Sequence, residues 1–178
     1  MKRRRLTRAA FYARLQSIER RRRVLLRRMD LTWLTDRLAV GGGIWNERNM
    51  AEVARAGVTH IINMQIEFDD RPLAEPLGIK VLWSATVDDF QLKPPELFDR
   101  GVEFALAAFE GEDSKVFTHC AAGIHRSPMM ALAILCATGW EIEKAMDLIE
   151  GKRPTADFAD VYVDSVERYL EQRAKSKA

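Results

Sequence analysis

The segment from Val116 to Thr138 restricts the fold of this chain more than any other. Val116-Phe117-Thr118 reads as a short strand, and Pro128 stands at the head of an apolar run that reads as helix to about Thr138. Proline suits a first helical turn, because the N–H it lacks would be unpaired there anyway. Gly139 ends the helix. Only the residues His119 to Ser127 join the two elements, so a strand must turn into a helix through one tight loop. The flanking sequence repeats the alternation. Leu31–Leu34 and Arg37–Val40 read as short strands, followed by a break at Gly41-Gly42-Gly43. Asn46 caps a helix to about Ala56, closed by Gly57, and Val58–Met64 and Ile79–Trp83 read as strands. Gln65–Gly78 and Thr86–Pro95 read as loops, and Glu96–Phe109 as an amphipathic helix. Glu141–Ile149 and Phe158 to about Ala174 complete the helices, separated by Gly151-Lys152-Arg153-Pro154. Strands alternating with helices predict an α/β domain: a mainly parallel central sheet of four to five strands, with helices on both faces.

Charge divides the chain in two. Residues 1–29 hold twelve Lys or Arg against one acid, Glu19, whereas residues 30–178 hold sixteen bases against twenty-five acids. The expected organisation is a basic helical leader over 1–29 and an acidic body over 30–178. The leader reads as helix from about Thr7 to Arg28, interrupted at Arg20-Arg21-Arg22-Arg23. It suits docking onto the acidic body or contact with an anionic surface through residues 1–28. An Arg-rich transit peptide, and hence an organellar location, is the alternative. No stretch has the length of a transmembrane segment. The two cysteines, Cys120 and Cys136, imply no disulfide framework. Cys136 reads as a small core residue, and a reducing, cytoplasmic setting suits both.

The loop itself carries chemistry. A thiol attacks phosphorus well only as the thiolate, which a helix N-terminus favours through unpaired N–H groups and the dipole. Cys120 sits where a strand gives way to a helix, at the floor of such a nest of amides. The backbone of Ala121, Ala122, Gly123, Ile124 and His125 would then cradle a phosphate, and Gly123 lets it curl without a side-chain clash. Arg126, six residues after the thiol, can grip two phosphate oxygens with its planar fork. Ser127 can hydrogen-bond the sulfur, and His119 can support the loop. The histidines are His60, His119 and His125, and they form no metal constellation with the cysteines. The chemistry needs no cofactor.

His119-Cys-x-x-Gly-x-x-Arg126-Ser127-Pro128, the strand Gly57-Val58-Thr59-His60-Ile61-Ile62-Asn63 and the Arg153-Pro154 turn together resemble the protein tyrosine phosphatase superfamily, in its small dual-specificity branch. The resemblance runs from about Leu31 to Tyr169. Thr86-Val87-Asp88, followed by Gly101-Val102-Glu103-Phe104-Ala105-Leu106, is similar to the mitochondrial phosphatidylglycerophosphate phosphatase group. The family pattern implies a mobile loop with a general-acid Asp about thirty residues before the cysteine. Asp88 and Asp89 both satisfy that spacing, and Asp88 matches the similar group better. The implied activity is hydrolysis of a phosphorylated substrate through a thiophosphate intermediate, acting on a phosphoprotein as a dual-specificity phosphatase. A phospholipid or sugar phosphate is the alternative substrate, a phosphate-binding module the non-enzymatic reading, and a rhodanese-type sulfur-transfer domain a further rival. His125 stands where relatives more often have Ser or Gly, either shaping the pocket wall or titrating near the phosphate. Glu67, Asp69 and Asp70 read as a solvated loop, with an acidic wall near the pocket as the alternative. Arg153 either approaches the loop from behind, binds substrate, or neutralises a helix C-terminus. Trp33, Trp45, Trp83 and Trp140 read as core or pocket-rim residues.

Overall fold

Among the described residues, five strands of three or four residues form one sheet in the order β1-β2-β5-β3-β4. They are β1 (Leu31–Trp33), β2 (Leu38–Gly41), β3 (His60–Asn63), β4 (Lys80–Trp83) and β5 (Val116–His119). The structure is a computed structural model, and it describes residues 29–177. The expected leader helix, Thr7 to Arg28, lies outside the described residues. Among the described residues only β1 runs antiparallel, at the edge beside β2; every other pairing is parallel. β5 lies in the middle, and its last residue, His119, is in register with Gly41 of β2 and Asn63 of β3. Cys120 therefore leaves the carboxyl end of the central strand, where open α/β sheets bind their ligands.

The strands alternate between two cores, as a period of two requires. Leu38, Val40, Ile62 and Val116 face one core, and Ala39, Ile61 and Phe117 the other. The larger core is covered by α3 (Pro95–Phe109), α4 (Arg126–Ala137), α5 (Ile142–Lys152) and α6 (Asp160–Lys177). The smaller is covered by α1 (Glu47–Arg55) and α2 (Arg71–Ala74). α1 starts as expected: the Asn46 side chain accepts the Asn49 N–H at 2.9 Å. α4 is enclosed, with every residue from Arg126 to Leu135 buried. Each large apolar side chain among them contributes about 1.5–3 kcal/mol by leaving water. Close approach of α3 to α4 depends on Gly101, where a Cβ would lie 2.4 Å from Met130 Sδ.

Three expectations need correction. Gln65–Gly78 is not all loop: α2 and a 3-10 turn over Glu75–Leu77 occupy it, closed by Gly78 in the left-handed region. Pro72 and Pro76 stand in first-turn positions, so the prolines start helical turns rather than prevent them. Gly151 does not separate two helices, because α5 continues through Gly151 and Lys152 and stops before Pro154. A helical glycine costs only about 1 kcal/mol relative to alanine, and the burial of Ala145 and Ile149 offsets it. Of the tryptophans, Trp33 is half-buried against the smaller core, but Trp45, Trp83 and Trp140 are each about two-fifths exposed, so the core reading fails for those three. Cys136 packs at the edge of the larger core, and burial pushes its thiol up to about 11.

Candidate active site

The loop His119–Ser127 is shaped by where its carbonyls go. Ala121 O accepts Gly43 N–H, Ile124 O accepts Asp157 N–H, and His119 O accepts Met64 N–H. Gly123 O accepts Arg153 Nε at 2.7 Å, and Ala122 O accepts its Nη2 at 3.4 Å. With these acceptors bonded outside the loop, the Gly123 N–H faces inward and reaches Cys120 Sγ at 3.2 Å. Gly123 has φ of 68°, and a Cβ there would lie 2.2 Å from Arg153 Nη2 and 2.7 Å from Gly41 O. Glycine is required on both counts. The sulfur lies 3.4 Å from Ser127 Oγ, whose hydroxyl donates to Gly41 O at 3.0 Å.

Arg153 is the buttress. Its guanidinium forks onto Asp30 at 2.8 and 2.7 Å and reaches Thr32 Oγ1, tying β1 and the residue before it to the loop. Of the alternatives left open by the sequence, the approach from behind the loop is the one observed. His119 is fully buried, with Nε2 2.8 Å from Asp70 Oδ2; Asn63 Nδ2 donates to the other oxygen of Asp70. Asp70 is thus no solvated loop residue. Glu67 is not simply solvated either, since both its oxygens take Arg126 hydrogens, at 3.1 and 2.9 Å. Those bonds hold the Glu67 carboxyl below its usual range. Burial disfavours the Arg126 cation, but Glu67, Cys120 and Asp88 outweigh that and raise it. Asp69 is half-buried and pairs with Arg71, away from the loop's own contacts.

The two candidate acids separate cleanly. Asp88 Oδ2 lies 3.5 Å from Arg126 Nε and 3.2 Å from His125 Nδ1, and its Oδ1 accepts the Tyr162 hydroxyl at 2.9 Å. Asp89 faces the other way, onto Lys93 Nζ and the Gln91 N–H. Phe90, between them and Gln91, has φ of 54°, a strained conformation for a side chain of its size, held by its N–H bond to Tyr162 Oη. Burial, with the Asp88 contact adding, pushes the Tyr162 phenol up to about 12. Tyr162, Asp157, Asp30 and Thr32 were not singled out from the sequence. They lie at least 32 residues from the groups they hold, and no local spacing marks them.

The central strand, the loop at its carboxyl end and the enclosed helix behind it are those of a cysteine-phosphatase domain. The chain belongs to the dual-specificity phosphatase catalytic-domain family, whose pattern matches residues 44–171. It is 27% identical over 131 residues to the protein phosphatase Slingshot of Drosophila melanogaster, covering 72% of this chain but only 12% of that protein's length. In fold it is similar to PTPMT1 in complex with PI(5)P, with a TM-score of 0.74 and 21% identity, covering 83% of this chain and 99% of that one. It is also similar to human DUSP28, with a TM-score of 0.68 and 20% identity, covering 82% and 95%. Among the described residues no helix is long and apolar enough to cross a membrane.

Proposed function

We propose that this phosphatase is a cysteine-dependent phosphomonoester hydrolase with Cys120 as nucleophile. The observation that carries the reading is the meeting of Cys120 Sγ with the Gly123 N–H and Ser127 Oγ at the head of α4. Arg126 supports it. Glu67 takes the Nη1/Nη2 edge of the guanidinium, while Nε, on the adjoining edge with Nη2, makes no hydrogen bond among the described residues and has Asp88 Oδ2 beside it at 3.5 Å. That second edge suits two phosphate oxygens, and Glu67 fixes its orientation rather than competing for it.

In the first step the Cys120 thiolate attacks phosphorus. The S–P bond forms, the P–O bond breaks, and Asp88 gives its proton to the leaving oxygen. In the second, Asp88 takes a proton from water, whose oxygen attacks phosphorus as the P–S bond breaks. The thiolate leaves towards the Gly123 N–H, and the Ser127 hydroxyl turns from Gly41 O to donate to it. Arg126 and the loop amides hold the transferring oxygens throughout.

The substrate reading is a phosphoprotein. Glu67, Asp88 and Asp157 all stand around Arg126 and His125, a setting that suits one phosphate on a neutral or cationic partner better than a polyanion. A lipid phosphate is the second reading, favoured by exposed Val87, Phe90 and Leu92 along the Asp88 loop and by the likeness to PTPMT1 in complex with PI(5)P. Turnover of phosphotyrosine and phosphothreonine peptides, phosphatidylinositol monophosphate vesicles and sugar phosphates tests both, with Cys120→Ser as control. Peptide turnover that vanishes in the variant is expected. Preference for vesicles would move the assignment to lipid, and tight phosphate binding without turnover of any substrate would make the chain a binding module.

A further inference from the structure

His125 has a side chain that the reaction above does not use, in specific surroundings beside the proposed acid. Its ring is half-buried, and each nitrogen faces a carboxylate from a different segment. Nδ1 is 3.2 Å from Asp88 Oδ2, on the acid loop, and Nε2 is 3.1 Å from Asp157 Oδ2, in the turn before α6. Phe90 packs edge-on against the ring at 5.1 Å and stacks on Tyr162 at 5.7 Å. The Tyr162 hydroxyl in turn bonds Asp88 Oδ1. Asp88 is therefore held at both oxygens, one by α6 and one by the loop that carries Cys120.

We propose that His125 is a positioning residue for Asp88, aiming its carboxyl at the leaving oxygen. The proposal rests on Asp88 being the acid of the reaction. A ring with hydrogen on both nitrogens donates to both carboxylates; a ring with one hydrogen donates to Asp157 and accepts from a protonated Asp88. The two arrangements hold the same number of protons. They differ only by one hydrogen moved along the line from Nδ1 to Oδ2. When the P–O bond breaks, that proton passes from Asp88 to the leaving oxygen, and Asp88 is left as the carboxylate that activates water.

Two near-isosteric variants separate the contacts. The amide nitrogen of His125→Asn falls near Nδ1 and keeps a donor towards Asp88, whereas that of His125→Gln falls near Nε2 and keeps only the donor towards Asp157. The assay is kcat across aryl phosphates from 4-nitrophenyl phosphate, whose leaving group hardly needs a proton, to phenyl phosphate, whose leaving group does. His125→Gln is expected to lose about 100-fold on phenyl phosphate, the size of a general-acid contribution, and much less on 4-nitrophenyl phosphate. His125→Asn retains most of the phenyl phosphate rate, and inhibition by inorganic phosphate persists in both. Asp88→Asn serves as the reference. If it shows the leaving-group dependence and His125→Gln does not, the role of His125 is overturned and Asp88 stands. If Asp88→Asn shows none, both fall. Equal losses in the Asn and Gln variants, or loss of phosphate inhibition in either, would also overturn the proposal, since the ring would then only support the loop.

Discussion

Behind the loop His119–Ser127, Arg153 is 5% exposed and bonds two loop carbonyls and both oxygens of Asp30, while His119 and Asp70 are wholly buried against each other. In front, Asp88 and His125 make equally specific contacts, but their side chains are 28% and 18% exposed, and Phe90 beside them is half in solvent. The rear contacts fix the curl of the backbone around the sulfur, and a buried polar group that loses its partner is costly. In the proposed reaction the front contacts fix a side chain that exchanges protons with substrate and water, so they have to be reachable. Rear variants should therefore act first on stability, and front variants first on the chemical step.

The largest effect belongs to the front. Asp88→Asn should lower kcat on phenyl phosphate by about 100- to 1000-fold, within the range of general-acid catalysis, with Tm close to that of the parent. Asp89→Asn, which removes only the charge in its contacts to Lys93 and Gln91, should have far the smaller effect on kcat. The reverse order would exchange the two acids. Next comes Gly123→Ala, which must fit a methyl group at φ of 68° against Arg153 and Gly41. It should cost roughly 2–3 kcal/mol and lower Tm by about 5 °C or more in a thermal melt. An unchanged Tm would break the comparison.

Arg153→Met should cost about 1–3 kcal/mol through the carbonyls and the Asp30 carboxylate left unpaired, towards the lower end because Asp30 is half exposed. Chemical denaturation measures it. The smallest effect is that of Glu67→Gln. Arg126 holds the Glu67 carboxyl below its ordinary value of 4.5, so the pair stabilises the folded chain above that pH, and the gain is lost as pH falls through the lowered folded value. The Tm difference between parent and variant should be present at pH 6 to 7, about two units above the ordinary value, and shrink on acidification below about 4.5. A difference that grows on acidification would contradict the pairing.

Much of the frame was legible because its signals are local. Asn46, Gly57, Pro128 and Gly139 mark helix ends within one or two residues of where they fall. The strand before Cys120 and the helix after Arg126 follow from composition alone. What escaped was long-range. Nothing near Tyr162 announces that its hydroxyl reaches Asp88, 74 positions away, and nothing near Asp30 marks its bond to Arg153, 123 positions away. Glu67 and Asp70 show the same limit differently. In sequence they are acids in a polar turn, and only the register of β3 beside β5 brings that turn against the loop.

The central claim, that Cys120 carries the phosphoryl group, is tested most directly by trapping the intermediate. Rapid acid quench of the enzyme turning over 4-nitrophenyl phosphate, followed by peptide mass spectrometry, should find one phosphate on the peptide containing Cys120. Asp88→Asn, slowed in hydrolysis, should accumulate more of it, and Cys120→Ser none. Phosphate release by the parent at full rate with no phosphorylated Cys120, or with the label on another residue, would contradict the account.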